Sequence, residues 1–69
     1  MILTQDQATV LECLRDGGAM SAQRIGRELE LHHDDLYLAL VGLETDGRVR
    51  VTIDYGSEPG RRVAVWEAL

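Results

Sequence analysis

Apolar and polar positions change period along this chain, and each change marks an element. Val10, Leu11 and Leu14 share one face at helical spacing, which predicts a first helix over about 5–16. Thr4 is placed to cap it, with Gln7 three residues on completing a capping box and Leu3 and Ala8 spaced as a hydrophobic staple. Gly17-Gly18 ends it. Ala19-Met20 reads as a short extended link, and Ser21 caps a second helix over about 22–30 with Ala22, Ile25 and Leu29 facing inward. Gly26 lies beside that face, and its helix cost of about 1 kcal/mol is accounted for by close approach of another helix.

After the turn at Glu30-Leu31, His32 caps a third helix over about 33–46, which stops at Gly47. Leu36, Ala39, Leu40 and Leu43 form its core stripe. Asp34 and Asp35 occupy its first turn, where the helix dipole favours negative charge. The opposite side carries Asp34, Tyr37, Leu38, Val41 and Thr45, so a second apolar surface faces away from the domain. The period then drops to two. Val49, Val51, Ile53 and Tyr55 alternate with Arg48, Arg50, Thr52 and Asp54, predicting a half-buried strand over about 48–55. The turn GSEPG leads to a returning strand over about 61–67. That strand has Val63 and Val65 on one side and Arg62, Ala64 and Trp66 on the other, and either face suits burial.

Sixty-nine residues that are 45% hydrophobic make one small globular domain, 1–69, with little core to spare. One cysteine, Cys13, rules out an internal disulfide framework and falls beside the apolar face of the first helix as a small buried or half-buried core residue, not a nucleophile. No signal-like or membrane-spanning run is seen, so a cytoplasmic location and no membrane association are expected. All seven cations are Arg, a bias expected of a GC-rich bacterial or phage genome. The net charge of −5 is uneven: residues 1–47 hold nine acids and three Arg, residues 48–69 three acids and four Arg. A polyanion is repelled by the first part and tolerated by the second.

The order helix, short strand, helix, turn, helix, hairpin resembles the winged-helix (winged helix-turn-helix) family, and small bacterial winged-helix transcriptional regulators within it. The segments MSAQRIGRELEL, LYLALVGLETDGRVRV and RRVAVWEAL carry the resemblance over nearly the whole chain. It implies an α+β fold of three helices with a C-terminal β-hairpin wing. It also implies DNA binding, the third helix reading bases and the wing holding backbone. Carried over, the base-reading positions are His33, Asp34, Tyr37, Leu38 and Val41, where relatives place Ser, Gln, Arg or Lys. His33 and Tyr37 offer hydrogen bonds, Asp34 an acceptor for cytosine, and Leu38 and Val41 apolar contact only. Glu30 stands where the family usually has Gly. On the wing, Arg48, Arg50, Arg61 and Arg62 form a phosphate clamp or pair with Asp54, Glu58 or Glu67. On the second helix, Arg24 and Arg27 touch phosphate or pair with Glu28 or Glu30.

Other chemistry is sparse. His32 and Asp35 are an i, i+3 pair without an evident third ligand, so no metal site is expected. Ser21 and Ser57 lack a spaced base, and no phosphate-cradling Gly loop occurs, so neither catalysis nor a cofactor is expected. Two ligands stay open. One is double-stranded DNA, bound by a homodimeric regulator. The other is a protein partner, taken by an adaptor or phage-type inhibitor through Tyr37, Leu38, Val41 and the acidic surface.

Overall fold

Secondary structure follows the caps closely. In this computed structural model, which describes residues 2–54 and 62–69, the order is α1 (Gln5–Gly17), β1 (Met20–Ser21), α2 (Ala22–Leu29), α3 (His33–Thr45), β2 (Val49–Asp54) and β3 (Val63–Ala68). The expected strand ends at Tyr55 and Arg61, and the turn between them, lie outside the described residues. At α1 the Thr4 hydroxyl accepts from the Gln7 N–H at 3.1 Å, and the Thr4 N–H donates to Gln7 Oε1 at 3.0 Å, so the capping box forms. Ser21 Oγ accepts from the Arg24 N–H at 3.2 Å, and His32 Nδ1 accepts from the Asp34 N–H at 3.2 Å. The staple is not what seats the chain entry: Ala8 is exposed, and Leu3 packs against the core.

The α2–α3 turn depends on Glu30, which holds a left-handed backbone (φ 54°, ψ 39°) and ends α2. The Leu31 N–H donates to the Gly26 carbonyl across it, at 3.2 Å. A Cβ on Gly26 would come within 3.3 Å of Leu36 Cδ2, so the expected close approach is that of α3.

The three strands form one antiparallel sheet in the order β1-β3-β2. Met20 pairs with Trp66, and the β2–β3 register sets Val49 opposite Ala68, Val51 opposite Trp66 and Ile53 opposite Ala64. This settles the returning strand: the Ala64–Trp66–Ala68 face turns inward, and Trp66 is only 6% exposed. The core joins it to Val10, Leu11 and Leu14 of α1, Ile25 of α2, Leu36, Leu40 and Leu43 of α3, and Met20 and Val49. The half-buried strand is corrected in one respect. Only Val49 of β2 is buried, while Val51 and Ile53 are 39% and 47% exposed. Alternation fixed which side chains share a face, but the helical layer covers only the first residue of β2 and the rest of the strand overhangs it.

Candidate nucleic-acid interface

Helix α3 presents its expected outer residues, but not as one surface. His33, Asp34, Tyr37, Leu38 and Val41 are all exposed, and Leu38 is the most exposed of the three apolar ones at 73%. Adjacent positions on a helix diverge by about 100°, so Tyr37 and Leu38 serve different flanks.

On the α2 flank, Tyr37 and His33 pair as tilted rings with centroids 4.9 Å apart. They line a cleft of roughly 490 Å³ together with Arg27 and Gln23 of α2, over an apolar floor that includes Gly26, Leu31 and Leu36. The close α2–α3 approach at Gly26 is what brings these four polar side chains to one place. All four carry hydrogen-bond donors that suit phosphate or a base edge, and the two rings offer a stacking surface. Arg27 forms no ion pair among the described residues, so its guanidinium is available to an anion.

On the α1 flank the character reverses. Leu38 and Asp35 line a second groove with Asp6 and Gln7 of α1 and its cap Thr4. Two carboxylates frame an exposed leucine there, and phosphate is disfavoured. The expected patch of Tyr37, Leu38 and Val41 is therefore divided between a donor-rich flank and an acidic one.

The remaining arginines are mostly engaged. Arg24 Nε donates to Glu28 Oε1 at 3.3 Å, one turn along α2. Arg48 Nε donates to Asp46 Oδ2, and Arg50 pairs with Glu67 across β2 and β3 at 2.7 Å. These exposed pairs contribute about 0–1 kcal/mol each, so a polyanion can compete for them. Arg62 is exposed at the start of the returning segment and forms no ion pair among the described residues, whereas Arg61 lies outside the described residues. No described hydrogen bond or ion pair links the wing arginines to the α2–α3 cleft.

Gln23 is the cleft residue that sequence reading missed. It precedes Arg27 by four positions and so shares its helix face, a signal that was available once Arg27 was singled out.

Cys13 is half-buried, its Sγ 4.0 Å from Met20 Sδ and 3.7 Å from Glu28 Oε2. Burial first, then the Glu28 carboxylate, push its thiol above the ordinary value, which disfavours a nucleophilic role. Among the described residues no three His, Cys, Asp or Glu side chains gather to hold a metal ion, and no helix is long and apolar enough to cross a membrane.

Among solved structures, the fold is similar to the Zalpha domain from Carassius auratus PKZ in complex with Z-DNA. The TM-score is 0.75, with 22% sequence identity over 94% of each chain. No family model and no curated protein sequence matches the chain. The structural likeness, with three helices and a three-stranded antiparallel sheet, shows a winged-helix fold of α+β class.

Proposed function

We propose that this winged-helix domain is a DNA-binding module and acts in transcription regulation, as a binding protein and not a catalyst. The observation that carries the proposal is the α2–α3 cleft, where Arg27, Gln23, His33 and Tyr37 converge on the donor-rich flank of the third helix. The similar Zalpha domain is described in complex with Z-DNA, which supports a nucleic-acid ligand for this architecture. In this reading Arg27 contacts phosphate and His33 and Tyr37 meet base edges or sugar. Arg50 and Arg62 supply backbone contacts from the wing, Arg50 by exchanging Glu67 for phosphate. Leu38 lies on the flank lined by Asp6 and Asp35, away from the phosphates.

The test is a fluorescence-anisotropy titration of labelled duplexes, one in B form and one held in Z form, at two salt concentrations. Arg27→Ala is compared with Arg15→Ala, which changes net charge equally from an exposed position on α1. Arg27→Ala is expected to weaken binding several-fold and to lower the salt slope by about 1, while Arg15→Ala changes neither. Equal effects of the two variants, or no salt-dependent binding of either duplex, would overturn the assignment.

A second reading has its own observation. Leu38 and Val41 are 73% and 53% exposed beside Asp34 and Asp35, on a helix without a single Lys or Arg. That flank suits a basic protein surface with an apolar centre, bound as the alternative ligand.

A further inference from the structure

Among the described residues, strand β2 has a neighbour on one side only, since the sheet order is β1-β3-β2. The Leu69 N–H donates to the Arg48 carbonyl at 3.0 Å, which makes Arg48 and Leu69 a hydrogen-bonded pair. In an antiparallel ladder such pairs alternate with non-hydrogen-bonded ones. Arg50, Thr52 and Asp54 therefore direct their backbone groups at β3, and Val51 and Ile53 direct theirs at the open edge.

We propose that two copies of this chain pair antiparallel through their β2 edges, about a two-fold axis at Thr52, to form a continuous six-stranded sheet. The sequence of the strand is self-complementary about that residue. Val51 falls opposite the partner's Ile53, and Ile53 opposite the partner's Val51. These are the two pairs whose backbone N–H and C=O groups face outward, so each closes two ladder hydrogen bonds. Arg50 falls opposite the partner's Asp54, and Asp54 opposite the partner's Arg50. Opposite charges directly across a ladder stabilise it, and like charges oppose it. An axis one residue earlier would set Arg50 against the partner's Thr52 and Ile53 against the partner's Val49, which is already buried.

Burial points the same way. Val51 and Ile53 are on the core face of the sheet but overhang the helices, 39% and 47% exposed. In the pair, four such side chains meet across the axis and cover one another. Charged side chains, proline or a bulge usually blunt an edge strand that stays single. The charges of β2 are one Arg and one Asp of opposite sign, equidistant from Thr52, so across the two-fold axis they attract where a run of one sign would repel. Arg50 need not release Glu67 to reach the partner's Asp54, because a guanidinium carries five N–H donors, and Asp54 can keep its own intrachain contact with one of two oxygens. The inference shares only Arg50 with the DNA reading, since β2 and the α2–α3 cleft have no residue in common.

Two variants of the full chain test it. Thr52→Cys places a thiol on the axis in a non-hydrogen-bonded pair, where Cα atoms are about 4.5 Å apart and a disulfide fits. Under mild oxidation it is expected to give a covalent dimer, while the unmodified chain, with only Cys13, gives none. By light scattering at sub-millimolar concentration the unmodified chain is expected to be dimeric. Ile53→Lys, at an exposed position, is expected to be monomeric with an unchanged circular dichroism spectrum. A monomeric unmodified chain, a dimer that survives Ile53→Lys, or failure of the Thr52→Cys chain to cross-link would each overturn the proposal.

Discussion

Glu30 is the residue at which local preference and global fold disagree. Its left-handed backbone (φ 54°) ends α2 so that α3 can cross at Gly26, and a side chain there costs free energy that glycine avoids. Replacement by glycine relieves that cost but frees the unfolded chain, so the two effects partly offset. Glu30→Gly is expected to stabilise the domain by about 0.5–1 kcal/mol and to raise Tm by a few degrees in thermal denaturation, on the order of 4 °C. A lower Tm would show that the Glu30 side chain contributes something that the turn geometry does not reveal. The departure from a turn glycine was legible in the sequence. Its conformation was not, because a left-handed residue is set by the crossing of two helices and not by its neighbours in the chain.

At the scale of elements, packing of α1 on α3 depends on a contact that no periodicity announces. Gln7 is buried because its side chain closes the capping box, and it lies against Gly42, where a Cβ would overlap its amide. The amide is held by Thr4 and cannot swing aside without opening the cap. Gly42→Ala is therefore expected to destabilise the domain by about 1 kcal/mol or more, although alanine is the better helix former. In a Gln7→Ala background the same change is expected to become neutral or stabilising, as thermal melts of the four-variant cycle would show. The helices were otherwise readable from sequence because Thr4, Ser21 and His32 cap them locally. The strands were less so. Period two fixed which side chains share a face, but it could not say how far the helical layer extends. Val51 and Ile53 thus proved exposed, and Trp66, not Val65, proved to be the inward residue of β3.

For the whole molecule, the distribution of charge decides how a ligand approaches. The chain is acidic, net −5, and α3 has no cation of its own. Sequence alone made the outer face of α3 a single surface, on which Tyr37, Leu38 and Val41 served either ligand. The fold divides it. Tyr37 and His33 join Arg27 and Gln23 on the α2 side, whereas Leu38 and Asp35 join Asp6 on the α1 side. Only the first assembly is compatible with a polyanion, and it owes its positive charge to a neighbouring helix. That convergence depends on how two helices cross, so the individual residues were legible in the sequence and their grouping was not. A dimer built through β2 would present two such clefts related by a two-fold axis, the arrangement that paired half-sites on DNA require.

The most direct test of the account is to titrate duplex DNA into the isotopically labelled protein and follow backbone and side-chain resonances by NMR. Shifts concentrated at Gln23, Arg27, His33 and Tyr37, with lesser ones at Arg50 and Arg62, are the predicted result. Shifts concentrated at Asp6, Asp35 and Leu38, or none at any residue under low salt, would contradict it.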